Sequence, residues 1–203
     1  MSVMQQSLVA SLAEIVGPDR VKTDSESLQV FGKDWTKAHE PRPAAVVLPG
    51  STEEVQALVR FANEQKIALV PSGGRTGLSG AAVASNGEVV VAFDRMNKIL
   101  DFNPVDRQVV CQPGVITEQL QQFAEDKGLY YPVDFASSGS SQLGGNVGTN
   151  AGGIKVIRYG LTRDWVMGMK VVTGTGELLD LNQGLVKNAT GYDLRHLFIG
   201  SEG

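Results

Sequence analysis

The amino-acid sequence predicts an α+β fold, with a small N-terminal βαβ portion and a second portion of mixed and antiparallel strands carrying helices. Three observations lead there. At 44–70 two apolar runs flank an amphipathic helix, the pattern of a strand–helix–strand unit. Beyond 80 the apolar runs shorten, and turn residues separate them at hairpin spacing. Helical segments fall between these strands without the strict alternation of a doubly wound sheet.

From the N-terminus, residues 3–16 place Val3, Leu8, Leu12, Ile15 and Val16 on one helical face, and Gly17 stops the helix. A polar connection over 23–43 follows. Ala44 to Leu48 reads as a buried strand. Ser51 and Glu54 then form a capping box, Ser51 as N-cap and Glu54 at the third helical position. The helix after them buries Val55, Leu58, Val59 and Ala62. Ile67 to Val70 closes the unit, so its two strands are expected to run parallel with a right-handed crossover. Downstream, 88–93, 99–102 and 108–111 are short strands, with Asn86-Gly87 and 103–106 as turns. A helix over 117–127 takes Thr117 as its cap and Gly128 as its stop. Strands at 166–173 and 177–181 pair through the hairpin Gly174-Thr175-Gly176. With no internal repeat or low-complexity linker, one continuous domain over 41–203 is expected, preceded by a helix and connection over 1–40.

Composition removes several function classes. Of 203 residues, 42% are hydrophobic and 20% charged, as in a folded chain that is neither disordered nor membrane-spanning. Lys and Arg number 18 against 22 Asp and Glu, and the net charge of −4 argues against nucleic acid, whose phosphates call for a cationic surface. Cys111 is the sole cysteine, which excludes an intrachain disulfide and a CxxC metal site. Within a predicted strand it reads as a small buried hydrophobe. His39 and His196 are the only histidines and neither lies in a nucleophile motif, so no catalytic residue and no metal ligand is assigned. The N-terminus lacks the basic start and apolar run of a signal peptide. No run reaches the ~18 apolar residues of a membrane span. Cytoplasm is the expected location.

Glycine is in excess, with 24 residues, and six of them fall between Gly139 and Gly153. Two segments stand out. The first is Pro71-Ser72-Gly73-Gly74-Arg75-Thr76-Gly77-Leu78-Ser79-Gly80. It matches neither GxGxxG nor GxxxxGK[ST], so the Rossmann and P-loop readings lose their support. Its chemistry suits an anion: Gly73 and Gly74 can take left-handed dihedrals that turn N–H groups inward, and Ser72, Thr76 and Ser79 offer hydroxyls. A plain strand-to-strand turn is the alternative. The second segment spans Asp134 to Lys155, and 135–154 carries no formal charge. A flexible linker is one reading. Against it, Leu143, Val147 and Ile154 look like anchors to a core, and Asn146, Thr149 and Asn150 are hydrogen-bonding residues. Ordering glycine costs roughly 0.5–1 kcal/mol each relative to alanine, which suggests close backbone approach to a ligand. A two-loop cradle for a dinucleotide follows, with the dinucleotide unspecified.

These segments carry a family resemblance. PSGGRTGLSG at 71–80, YYPVDFASSGSSQLGGNVGTNAGGIKVIRYG at 130–160 and LVKNATGYDLRHLFIGSEG at 185–203 resemble the PCMH-type FAD-binding domain of the vanillyl-alcohol-oxidase/p-cresol-methylhydroxylase superfamily. Within it, the chain resembles the FAD-linked D-2-hydroxy-acid dehydrogenases, the D-2-hydroxyglutarate and D-lactate group. GKDWTK at 32–37 and VKNATGYDLR at 186–195 bring it nearest the bacterial D-2-hydroxyglutarate dehydrogenases. The resemblance runs from Val21 to the last residue.

The resemblance implies that 71–79 (Pro71, Ser72, Gly73, Gly74, Arg75, Thr76, Gly77, Leu78 and Ser79) holds the FAD pyrophosphate. It implies that Pro132 and Asp134 begin a second wall, lined by Ser140, Ser141, Gly144, Gly145, Asn146, Thr149, Asn150 and Ala151. Gly114 matches a position where backbone passes near the flavin. Some relatives carry a covalently linked histidine after the glycine pair; Arg75 stands there in this chain, so FAD is expected to be non-covalent, with Arg75 a partial counter-charge to the pyrophosphate. The family implies oxidation of a D-2-hydroxy acid (2-hydroxyglutarate, lactate or glycolate) to the 2-oxo acid, with electrons passed to a carrier such as electron-transfer flavoprotein. A homodimer is left open. Relatives continue past Gly203 into a substrate domain, so the chain is expected to be an N-terminal fragment, inactive alone. Tyr192 and His196 are expected to be packing residues at a core edge, in a strand. The alternative to the whole reading is a nucleotide-binding or interaction domain without redox function.

Overall fold

The computed structural model describes residues 3–36 and 39–203, so Lys37, the last residue of the GKDWTK motif, lies outside the described residues. The chain forms two compact units, one of residues 1–96 and 172–178, the other of 97–171 and 179–203. Among the described residues no helix is long and apolar enough to cross a membrane.

The first unit is built on a four-stranded sheet in the order β1-β2-β4-β3, where β1 is Val21–Lys22, β2 Ala45–Val47, β3 Leu69–Ser72 and β4 Val89–Ala92. β1 runs antiparallel to β2, and β4 pairs parallel with both β2 and β3. A valine run buried on both faces belongs at the centre of a parallel sheet, and Val89–Ala92 is buried throughout. The period of two sorts the side chains. Ala45, Val47, Val89 and Val91 pack against Leu12 and Val16 of α1 (Val3–Val16) and Leu58 of α3 (Thr52–Gln65). Val46, Val70, Val90 and Ala92 face the other way, against Leu28 and Phe31 of α2 (Ser25–Phe31). The sheet is covered on both sides.

Several expectations change in detail. β2 and β3 are parallel as expected, yet they are not neighbours, because the fully apolar β4 takes the place between them. The polar connection over 23–43 contains α2, capped by Asp24, whose carboxylate accepts from Ser27 N at 2.8 Å. β1, just upstream, is too short for any periodicity to reveal. Ser51 caps α3 by accepting from Glu54 N at 3.3 Å, but Glu54 reaches back to Gly50 N, at 2.7 Å, and pairs with Arg20 at 2.9 Å. The turn 172–178 joins this unit through α3: Gln56 Nε2 and Arg60 Nη2 donate to Gly176 O, and Asn63 Nδ2 donates to Gly174 O.

The second unit opens with an antiparallel hairpin, β5 (Ile99–Asn103) and β6 (Gln108–Cys111), turned by Asn103, whose side-chain oxygen accepts from Val105 N and Asp106 N. α4 covers Thr117–Asp126. Its cap is Ile116 rather than Thr117, with Gln119 Oε1 accepting from Ile116 N at 3.2 Å. Thr117 is instead the first helical residue and fully buried. Then follow α5 (Leu143–Thr149), α6 (Val156–Tyr159) and the sheet of β7 (Met169–Val172) with β8 (Leu178–Leu181). The strand expected around His196 is a short helix, α7 (Arg195–Phe198). Tyr192 is 96% exposed, and His196 lies at the surface beside Asp193, so neither is a core-edge residue.

Candidate functional site

The first glycine-rich segment belongs to the first unit. Pro71 and Ser72 are the last residues of β3, not loop, because they pair with Val91 and Ala92 of β4. Ser72 is fully buried and its hydroxyl donates to Phe31 O at 3.4 Å, so it is not an open ligand group. Gly73 to Ser79 form the loop proper. Its shape is set by the segment after α2. Trp35 N donates to Gly77 O at 2.9 Å, and the buried Asp34 carboxylate accepts from Gly80 N at 2.9 Å and Thr36 N at 2.8 Å. The left-handed residues are Arg75 (φ 60°) and Gly80 (φ 84°), not Gly73 and Gly74. Arg75 is committed to Asp94, with nitrogen–oxygen distances of 2.9 and 3.2 Å, and stacks over the Phe31 ring at 4.7 Å. Leu78 is exposed at the loop tip.

Within this loop the described residues provide no hydrogen-bond partner for the N–H groups of Gly73, Gly74, Arg75, Thr76, Gly77 and Leu78. The loop thus keeps a run of backbone donors not paired within the protein, the kind of group an anion accepts from. The residues present therefore fit an anionic group, through backbone rather than side-chain charge.

The second segment belongs to the second unit and is largely helical. Gly144, Gly145, Asn146 and Thr149 lie in α5, and Asn150 ends it in the left-handed conformation (φ 50°). Ser141 and Asn146, expected to line a ligand, turn inward. Thr117 Oγ1 lies 2.7 Å from Ser141 Oγ and accepts from Asn146 Nδ2 at 2.6 Å, all of it buried. This network seats α5 on the start of α4. Gly144 also serves packing, since a Cβ there would meet Pro113 Cβ at 2.7 Å. At Gly145 a Cβ would meet nothing within 4 Å, which leaves that stretch of backbone open to a ligand. Ser140 and Thr149 are exposed, Ala151 is half-buried, and Pro132 and Gly114 are buried. Leu143 and Val147 are half-buried anchors, but Ile154, 90% exposed, is not one.

Asp134 pairs with Lys155 at 2.9 Å, and Lys155 also donates to the Tyr130 hydroxyl at 2.8 Å. The Lys155 ammonium lowers the Asp134 carboxyl below its ordinary range, and the same bonds raise Lys155. Cys111 is half-buried, and burial pushes its thiol up to about 11, which keeps it an inert thiol. Among the described residues no His, Cys, Asp and Glu cluster could hold a metal. The residues that hold the first loop and that motif reading missed are Asp34, Phe31 and Asp94. The signal for Asp34 was present in GKDWTK; Asp94 and Phe31 carry no local signature.

Comparison with known proteins bears on both segments. A family model described as an FAD binding domain matches residues 43–182. D-2-hydroxyglutarate dehydrogenase of Stutzerimonas stutzeri (strain A1501) is 71% identical over 97% of this chain and 42% of its own length. The mitochondrial D-2-hydroxyglutarate dehydrogenase of Arabidopsis thaliana is 43% identical over 96% of this chain and 35% of its own. The chain thus spans less than half the length of these relatives. Among solved structures, alkyldihydroxyacetonephosphate synthase superposes with a TM-score of 0.86 at 27% identity, covering 98% of this chain and 38% of the other. p-Cresol methylhydroxylase shares the fold, with a TM-score of 0.74 at 23% identity over 98% of this chain and 41% of its own.

Proposed function

The chain belongs to the FAD binding domain family, and on that premise we propose that it is the cofactor-holding part of a flavin-dependent oxidoreductase that oxidises a D-2-hydroxy acid, 2-hydroxyglutarate in the first place. The observation that carries the substrate class is the 71% identity, over nearly all of this chain, to a protein named for D-2-hydroxyglutarate.

The free amides at 73–78 would hold the pyrophosphate of FAD, with Thr76 and Ser79 offering hydroxyls beside them. In the second unit the open backbone at Gly145, with Ser140, Thr149, Asn150 and Ala151 near it in sequence, would hold a further part of the cofactor. Ser141, Gly144 and Asn146 shape that wall from inside. Gly114, Pro132 and Asp134 support it from neighbouring turns. Bound FAD supplies a two-electron acceptor for the carbon bearing the substrate hydroxyl. The protein's part is to fix and desolvate the anionic cofactor; no residue of this chain is assigned to take the hydroxyl proton. Arg75 stands where a linked histidine would stand, so the cofactor is held without a covalent bond. A protein carrier of the electron-transfer-flavoprotein kind would be the final electron acceptor.

The test uses the protein expressed from the complete reading frame that contains this chain. D-2-hydroxyglutarate, and not its L enantiomer, should bleach the visible flavin absorbance under anaerobic conditions. Bleaching by neither, in a protein that carries flavin, overturns the substrate assignment.

A further inference from the structure

Arg75 is the one charged residue of the 71–80 segment, and its surroundings give it a different task from neutralising a ligand. Its backbone is left-handed (φ 60°), a conformation strained for a non-glycine residue that persists where the surroundings over-determine it. The surroundings are two groups of the same unit. Asp94, two residues past β4, accepts from Arg75 Nη2 at 2.9 Å and from Nη1 at 3.2 Å, a forked pair. Phe31, at the end of α2, lies under the guanidinium at 4.7 Å. Side-chain exposure is only 20% for Arg75 and 31% for Asp94. A guanidinium with two donors taken and one face covered is a strut.

We infer that Arg75 is a positioning residue: clamped by Asp94 and Phe31, it holds the free amides on either side of it in their anion-binding arrangement and does not itself neutralise the pyrophosphate. This rests on the FAD reading above. It has a consequence of opposite sign from direct charge pairing. If Arg75 faced the phosphates, releasing it from Asp94 would leave FAD affinity unchanged or improve it. In the clamp, releasing it loosens the loop and weakens binding.

The experiment measures FAD affinity, its salt dependence and the thermal unfolding of the FAD-free form for the wild type, Arg75→Met, Asp94→Asn, the double variant and Asp94→Glu. Each of the first two single changes should weaken FAD about tenfold, and the double variant should be no weaker than either single, as members of one coupled pair behave. Asp94→Glu, which keeps the charge, should recover part of the loss. The slope of affinity against salt should be the same in Arg75→Met as in the wild type, since no ligand-facing charge is lost. Asp94→Asn binding as tightly as the wild type, or a flattened salt slope in Arg75→Met, overturns the clamp while leaving the FAD reading intact. A wild type with no FAD affinity overturns both. Unfolding curves that keep their midpoints separate loop positioning from general loss of the fold.

Discussion

Gly144 and Gly145 are adjacent in α5 yet meet different surroundings. A Cβ on Gly144 would lie 2.7 Å from Pro113 Cβ and 3.2 Å from the Pro113 carbonyl oxygen, so Gly144→Ala must push two segments apart. It is expected to destabilise the protein by about 1–3 kcal/mol. A Cβ on Gly145 would meet open space. Gly145→Ala should therefore stabilise the FAD-free protein by up to about 1 kcal/mol, the helix preference of alanine over glycine. On the proposed placement of FAD against that backbone, the same change should weaken FAD. Thermal unfolding with and without FAD reads both effects, and an unchanged FAD affinity in Gly145→Ala would show that the ligand does not approach there. The glycine excess was legible in composition. Which glycine packs and which stays open was not, because the deciding neighbour of Gly144 is Pro113, far away in sequence.

α5 is held to α4 by the buried triad of Thr117, Ser141 and Asn146. Thr117→Val keeps the shape but removes the acceptor for Asn146 Nδ2 and the partner of Ser141 Oγ. Leaving buried polar groups unmet costs about 1–3 kcal/mol, so the unfolding midpoint should fall, and FAD affinity with it as α5 loosens. A double change with Asn146→Leu should recover some stability; failure of both losses to appear would remove the network from the account. The same helices show where element reading succeeds and stops. α1, α3 and β4 were legible because their apolar patterns are long or fully buried. β1 is two residues long, and α2 hid in a polar stretch whose one marker, Asp24 three residues before Ser27, resembles an ordinary turn. Thr117 looked like a cap because hydroxyl residues favour that position. Burial of its side chain at the Ser141 hydroxyl moved the cap to Ile116. For the second glycine-rich segment, the weak helix preference of glycine concealed α5 altogether.

The two units carry the two glycine-rich segments separately, each on its own framework. One property of the second unit follows from burial. It pushes the Cys111 thiol from its ordinary 9.0 up to about 11, and burial, aided by the nearby Cys111 charge, pushes the Tyr131 hydroxyl from 10.0 up to about 12. For an acid whose folded value is raised, stability is fully present below the unfolded value and is lost as pH rises through the folded one. The unfolding midpoint should thus decline between pH 9 and about 11 from Cys111, with Tyr131 extending the decline toward 12. Cys111→Ala should flatten the first part; an unchanged slope would contradict the assignment. Above these particulars stands the claim that the 203-residue chain holds FAD through backbone amides and without a covalent link. Purified protein should be titrated with FAD while its flavin absorbance and unfolding midpoint are followed, and then denatured and filtered. Saturable binding near one FAD per chain is expected, with a midpoint that rises with FAD concentration as a ligand of the folded state requires, and complete release of flavin on denaturation. Protein whose midpoint does not move in excess FAD, or flavin that stays on the denatured chain, would contradict that claim.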